Sequence, residues 1–391
     1  MPDGGAKRSA GKPAAKSSAA KRAAQPGTGA LTRNPARKPA AKPAGEPAAP
    51  ATGVSAARPA TKEPTAARAA APPKPARKSA LAAVRAAAAD PGGSDAGLPA
   101  ALGSPGGAGR LSVRKTYKLF IGGKFPRSES GRSYPVTGPG GALLAQAAQA
   151  SRKDARDAVV AARGAFGAWS GATAYNRGQV LYRVAELLEG RREQFAAEIV
   201  RNEGLDLSAA DDQVARAIDR WVWYAGWPDK VAQVAGAANP VAGPYFNFSV
   251  PEPTGVVAVM APAGSSLLGL VSVVAAVIAT GNTAVVVASE DRPLPAVTLT
   301  EVLATSDVPP GVVNVLTGRT AELAPVLAAH MDVNAIDLSG VALSGRAELE
   351  RLAAGNVKRV FAADEDWAEP PRLRRLLAFL ETKTVWHPVG S

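Results

Sequence analysis

From residue 255 to residue 361 the chain alternates short apolar runs with helical repeats. Residues 255–260 read as an apolar strand, and 267–280 as a buried helix that Gly281 ends. The β-branched run 283–288 and the runs 312–316, 335–338 and 357–361 read as further strands. Helical spacing fills the intervals at 296–305, 321–329 and 345–354. Near-continuous apolar strands separated by helices imply an α/β fold, with a parallel sheet covered on both faces. Ligands of such sheets bind at the carboxyl ends of the strands.

Upstream the pattern is helical. Residues 117–125, with Gly122-Gly123 at their centre, predict a hairpin. Ser151 is placed to cap a helix running to about Trp169, with Val159, Ala162, Phe166 and Trp169 on one face. Residues 176–192 repeat Val180, Val184, Leu187 and Leu188 at helical spacing. Two more helices are expected at 195–202 and 211–224, before Gly226 and Pro228 break the pattern. Downstream, 364–369 reads as an acidic linker and 372–380 as a short helix. The most apolar run, 267–279, is too short to span a bilayer and is interrupted by Ser272.

Composition splits the chain in two. Residues 1–110 hold 18 of the 46 basic and only 5 of the 33 acidic side chains, so the whole net charge of +13 lies there. None of the 6 Trp, 6 Tyr and 8 Phe falls before Tyr117. This Ala-, Pro-, Lys-rich stretch resembles linker-histone tails in composition. It lacks the apolar surface to offset the entropy of ordering and is expected to be disordered. It is either a polyanion- or nucleic-acid-binding tail or a solvated spacer. Without aromatics, recognition of single strands by base stacking is not expected. The expected domains are 1–110, 111–363 and 364–391. No secretory signal is legible at the N-terminus, and a cytoplasmic protein without membrane contact is expected.

Chemistry is constrained by what is absent. The chain has no cysteine, which removes disulfides, thiolate nucleophiles and Cys-ligated metals. Only His330 and His387 are present, so no metal site is expected.

Several segments in order carry a family resemblance. Tyr245-Phe246-Asn247-Phe248-Ser249-Val250-Pro251-Glu252-Pro253-Thr254-Gly255-Val256-Val257, Ala279-Thr280-Gly281-Asn282-Thr283, Val308-Pro309-Pro310-Gly311-Val312-Val313-Asn314-Val315 and Thr382-Lys383-Thr384-Val385-Trp386 are the segments. From about Tyr117 the chain resembles the aldehyde dehydrogenase superfamily, an oxidoreductase family with a Rossmann-type nucleotide-binding domain.

The resemblance implies roles residue by residue, and most do not transfer. Pro262 falls on the Pro of the family's Pro-Trp-Asn, but Ala263 stands for Trp and Gly264 for the oxyanion-donating Asn. Losing such a donor costs about 3 kcal/mol of transition-state stabilisation. The family's Lys-Pro-x-Glu, which holds the adenosine ribose, becomes Val287-Ala288-Ser289-Glu290, keeping only Glu290. The Gly-Ser of the pyrophosphate-facing turn becomes Gly340-Val341, with Gly345 further on. Ala363 stands at the general-base Glu, and the nucleophilic Cys has no counterpart. No catalytic residue is therefore assigned. Vestigial cofactor contacts fall to Pro262, Ser289, Glu290, Gly340 and Gly345, with binding of NAD or NADP possible but weakened. Too few residues follow 363 for a catalytic domain, which the resemblance implies has been lost with the terminal strand rejoined.

Plainer readings stand beside these. Glu290 also suits a carboxylate at a helix start, and the Gly340–Gly345 spacing suits helix–strand packing. Trp221, Trp223, Tyr224 and Trp227 read as core or as a face left open rather than as a ligand cage. Ser265-Ser266 has no accompanying base, and His387 reads as structural. The resemblance implies that the N-terminal hairpin, the 245–250 region and Lys383 to Trp386 make oligomer contacts. The expectation is an inactive subunit joining a full-length aldehyde dehydrogenase relative or itself. The alternatives are a polyanion-associated protein, or aldehyde oxidation completed by a partner subunit.

Overall fold

The computed structural model describes residues 115–390, so the basic 1–110 stretch and the expected boundary after it lie outside the described residues. In chain order the elements are β1 (Ser133–Thr137), β2 (Leu143–Ala148), α1 (Arg152–Gly171), α2 (Ala174–Glu189), α3 (Arg192–Glu203), α4 (Leu207–Ala225) and α5 (Val231–Ala235). Next come β3 (Ala237–Asn239), β4 (Tyr245–Pro253), β5 (Val256–Met260), α6 (Leu268–Ala279), β6 (Thr283–Val287), α7 (Leu294–Leu303) and β7 (Val313–Leu316). The chain closes with α8 (Thr320–Ala329), β8 (Ala335–Asp337), α9 (Leu343–Ala353), β9 (Arg359–Phe361), α10 (Leu373–Leu377) and β10 (Leu380–Pro388).

The five alternating strands form one parallel sheet in the order β7-β6-β5-β8-β9. The runs of β5 to β8 are buried throughout because both faces are covered, while β9 at the edge is partly exposed. Val257, Val259, Ala284, Val286 and Ala335 face a core shared with α2, α3, α4, α6 and α7, while Val256, Ala258, Met260, Val285 and Ile336 face a second core under α1, α8 and α9. Helix α6 is buried along its whole length within the first of these cores, which explains a run too apolar for a surface helix. No helix among the described residues is long and apolar enough to cross a membrane.

Local signals act as the sequence suggests. Ser151 caps α1, its hydroxyl accepting from Lys153 and Asp154 N–H groups while Asp154 accepts from the Ser151 N–H, a reciprocal capping box. Gly122 and Gly123 adopt φ of 57° and 75° in a two-residue turn closed by paired Ile121–Lys124 bonds. That hairpin lies against the edge of the sheet, Phe120 and Val315 exchanging bonds of 2.9 and 2.8 Å. Asn314 secures it: its side-chain oxygen accepts from Gly122 N–H, and its amide donates to Ala284 and Gly311 carbonyls.

A second sheet, β10-β4-β3, is antiparallel and joins the first through a buried asparagine. Asn282 accepts from Gly255 N–H at 2.8 Å and donates to the Phe379 carbonyl at 2.9 Å, fixing the start of β5 and the base of β10 together. The 364–379 segment is more than a linker. Leu376 and Phe379 belong to the first core, with Trp367, Leu373 and Leu377 packed against it. The helix expected over 372–380 is confined to five residues, since β10 already begins at Leu380.

Candidate functional site

The chain runs outward from β5 through β6 to β7, then returns to lay down β8 and β9 on the other side of β5. The topological switch point therefore lies between β5 and β8, where open α/β sheets hold their ligands. The loops leaving these strands carry Pro262, Gly264, Ser265 and Ser266 after β5, Ser289 and Glu290 after β6, and Gly340 after β8. The fold thus brings these residues to one edge, with Gly345 in the first turn of α9 and Ala363 just past β9.

At the switch point the backbone closes on itself. The Gly340 N–H donates to the Met260 carbonyl at 3.1 Å. A Cβ on Gly340 would stand 2.2 Å from the Ala261 carbonyl oxygen, so only glycine lets the two loops meet. The neighbouring donors are also engaged: Ser339 N–H with the Asp337 carboxylate at 2.9 Å, and Val341 N–H with Leu338 O at 2.9 Å. Gly345 N–H turns back to Ala342 O at 2.9 Å.

The β5 and β6 loops are similarly self-satisfied. Pro262 is buried and packs where Gly269 leaves room, while Ala263 and Gly264 are exposed. Ser265 Oγ accepts from Gly269 N–H at 2.9 Å, completing the start of α6. Ser266, read from sequence as having no base, meets Glu203 from the end of α3: its N–H and hydroxyl both donate to one carboxylate oxygen. No imidazole joins that pair, so it anchors the loop rather than forming a nucleophilic triad. Ser289 Oγ accepts from Arg292 N–H at 3.3 Å. Glu290 caps a helix, but α8 rather than the α7 that follows it: its carboxylate accepts from Thr320 N–H at 3.2 Å, at the positive end of the α8 dipole. Ala363 is buried in the core.

The strongest electrostatic feature beside the switch point escaped the sequence reading. Arg375 of α10 and Asp337 at the end of β8 form an ion pair with 2% and 0% of their side chains exposed. The guanidinium also donates to Glu365 at 2.9 Å and to Ser339 Oγ at 2.8 Å, and lies over the Phe361 and Trp367 rings at 4.8 and 5.2 Å. Burial alone would weaken its hold on the proton, but the two carboxylates outweigh burial and raise it above the usual arginine range. Arg220 and Arg216 of α4 hold the same segment through the carbonyls of Trp367, Ala368 and Glu369, and Arg346 pairs with Asp364. No signal marked this pair, because its members lie 38 positions apart.

A second buried carboxylate, Glu198, accepts from Tyr117 and Thr298 at 3.1 and 2.9 Å and ties α3 to α7; burial raises its proton affinity. Of the aromatic cluster, Trp221 and Tyr224 are fully buried, with Trp223 stacked edge-on to Tyr224 at 4.9 Å and 5.2 Å from Trp227, so the cluster is core. His387 lies exposed in β10 opposite Phe246. No group of three or more metal-ligating side chains occurs among the described residues.

Opposite the sheet edge, β10 pairs along nine residues with β4, from Leu380↔Pro253 to Pro388↔Tyr245, and β3 covers the far side of β4. The outer side of β10 is the edge of that sheet. Trp386 of β10 and Tyr245 and Phe246 of the neighbouring β4 are exposed on this sheet, with Tyr245 and Trp386 in edge contact at 5.8 Å.

A family model described as the aldehyde dehydrogenase family matches residues 125–363. The chain belongs to the aldehyde dehydrogenase family. It is 33% identical over 259 residues to cytosolic 10-formyltetrahydrofolate dehydrogenase of Mus musculus, covering 64% of this chain and 28% of that protein. Retinal dehydrogenase 2 of Gallus gallus is 34% identical over 255 residues, 64% of this chain and 48% of that protein. Among solved structures, the NAD+ complex of aldehyde dehydrogenase from Bacillus cereus superposes with a TM-score of 0.59 at 29% identity, covering 63% of this chain and 50% of that one. This aldehyde dehydrogenase family chain thus spans half or less of the length of the relatives it matches. The parallel sheet expected from the strand pattern, Rossmann-type as the resemblance implied, lies within the matched residues 125–363.

Proposed function

We propose that this member of the aldehyde dehydrogenase family is catalytically inactive as an isolated chain. We further propose that it serves as a structural or regulatory subunit, docking through the β3–β4–β10 sheet on a full-length aldehyde dehydrogenase or on a second copy. The observation that carries the reading is the open edge of β10 beside exposed Tyr245, Phe246 and Trp386. An unpaired edge with an apolar fringe favours pairing with another chain. Inactivity follows from chemistry: the chain supplies no cysteine to form the hemithioacetal from which hydride leaves, and Gly264 and Ala363 supply neither oxyanion donor nor base.

The carboxyl-edge loops fit a dinucleotide poorly. Glu290 is committed to the α8 N-terminus and the Gly340 N–H to Met260, so the two groups best placed to hold ribose and pyrophosphate are already engaged. Pro262, Ser289 and Gly345 add no free charged donor, and NAD or NADP binding is weak or absent. The test is gel filtration with and without co-expression of a full-length aldehyde dehydrogenase, beside a calorimetric titration with NAD. Co-elution or self-association supports the reading; a monomer in both cases, or aldehyde-dependent NADH production by the chain alone, overturns it.

The charge segregation favours a second reading. With 18 basic and 5 acidic side chains, residues 1–110 suit non-specific binding to a nucleic acid or another polyanion, whose affinity for DNA should fall steeply with salt and vanish when that stretch is deleted. No binding at low salt refutes it. Both readings suit a cytoplasmic setting.

A further inference from the structure

Between α4 and the segment leading into β10 lies a cavity of 160 Å³. Arg220, Tyr224 and Arg375 form its buried side, and Asp366, Glu369 and Arg372 stand at its rim. Tyr224 is 1% exposed and in edge contact with the Trp223 ring, with Arg375 and Arg220 as charged neighbours, and its hydroxyl makes no hydrogen bond within the described residues. Burial pushes that hydroxyl far above its usual range, so it is a donor at every physiological pH. Arg220, 7% exposed, spends Nη2 on the Trp367 and Glu369 carbonyls at 3.0 and 2.8 Å and leaves Nε and Nη1 without an acceptor.

The acceptors nearby are already taken. Asp364 pairs with Arg346, Glu365 with Arg375 and Glu369 with Arg372, while Asp366 receives the Ala368 N–H. The cavity therefore carries donors without a protein acceptor, open to solvent, within a lining of four arginines and four carboxylates. That neutral balance tolerates one added negative charge, whereas a dianion such as sulfate meets the rim carboxylates.

We propose that this cavity is a binding site for a small monocarboxylate, with the Arg220 guanidinium and the Tyr224 hydroxyl as its donors. A carboxylate there accepts charge-assisted bonds from Arg220 and Tyr224 in place of solvent and ties the 364–372 stretch to α4. The site stands on the inner face of the segment and is independent of docking through β10.

The experiment titrates the full chain at pH 7 with propionate, by calorimetry and by thermal unfolding, with chloride and sulfate at matched ionic strength. Expected is saturable one-to-one propionate binding, with an unfolding midpoint that rises with propionate but not with sulfate or chloride. Tyr224→Phe removes one hydroxyl and keeps the ring, so it should retain the unliganded midpoint while binding propionate about tenfold more weakly. Absence of saturable propionate binding overturns the proposal. So does sulfate binding as tightly as propionate, or a Tyr224→Phe chain that binds with undiminished affinity.

Discussion

Arg375→Met tests whether the 364–380 segment is held by charge or by apolar packing. Methionine keeps most of the aliphatic volume against Phe361 and Trp367 but leaves Asp337, 0% exposed, without a cation. Removing one partner of a buried pair costs about 3–5 kcal/mol, since the remaining charge stays desolvated and uncompensated. Lost ring contacts add about 1 kcal/mol, and methionine packing returns part of that. A net loss of about 4 kcal/mol corresponds to a fall of roughly 10 °C in Tm for a domain of this size.

The pair is also asymmetric, which makes the prediction specific. Arg375 retains Glu365 and Ser339 when Asp337 is neutralised, whereas Arg375 is the one cation paired with Asp337 among the described residues. Asp337→Asn, which preserves an acceptor for Ser339 N–H, should therefore cost only about 1–2 kcal/mol. The double variant should be less damaged than the sum of the two, with a coupling of about 2 kcal/mol. Urea unfolding followed by tryptophan fluorescence and far-ultraviolet dichroism measures all four proteins. If Arg375→Met costs less than about 1 kcal/mol, or the two losses simply add, the ion pair is not what holds the segment.

Three further perturbations follow from the loops and the sheet junction. Gly340→Ala forces the β8 and β5 loops apart and should cost about 3 kcal/mol in urea unfolding, whereas Gly345→Ala, whose Cβ meets only Val341 Cγ1 at 3.2 Å, should be neutral or stabilising by about 0.5 kcal/mol. Asn282→Ala strands the Gly255 N–H and the Phe379 carbonyl and should cost about 2–4 kcal/mol, with hydrogen exchange quickening first in β10. Lys358 is 8% exposed, and burial pulls its amine down to about 8. Between about pH 8 and the ordinary lysine value the unfolded chain binds the extra proton, so stability rises with pH across that window. Lys358→Met should therefore stabilise the protein at pH 7 by no more than about 2 kcal/mol, allowing for solvent at the amine, and the gain should vanish by pH 11 in a pH series of unfolding midpoints.

The parallel sheet was legible because β5, β6, β7 and β8 are buried on both faces and therefore cannot carry polar residues without a partner. The same reasoning explains what escaped. β1 and β2 form a two-stranded hairpin with an exposed outer side, and Ser133-Tyr134-Pro135-Val136-Thr137 carries no run long enough to mark it. β3 is three residues long, and its pairing with β4 rather than its composition makes it a strand. In the loops the sequence placed the candidate residues after the strands but not their engagements. Glu290 was visible as a helix-start carboxylate, yet which helix it serves depends on α8 returning beside β6. Glu203 reaches Ser266 across 63 positions and Arg375 reaches Asp337 across 38, distances over which periodicity carries no information.

The segments that carry the family resemblance do identifiable mechanical work. Asn282 bolts the two sheets together, Asn314 secures the hairpin on the sheet edge, and Gly255 at φ 136° passes within 2.2 Å of Asn334 for any added Cβ. None of these depends on a substrate, since each answers a buried backbone group or a close approach that folding itself imposes. Gly264 and Ala363, the positions that the proposed reading assigns to the family's oxyanion donor and base, offer no functional group, and one is exposed while the other is packed in the core. On the proposed inactivity, the requirements of the sheet stay untouched, so a chain without nucleophile, oxyanion donor and base is still obliged to keep Asn282, Asn314 and Gly255. A retained fold beside positions without reactive groups is what the proposed docking role requires of this chain.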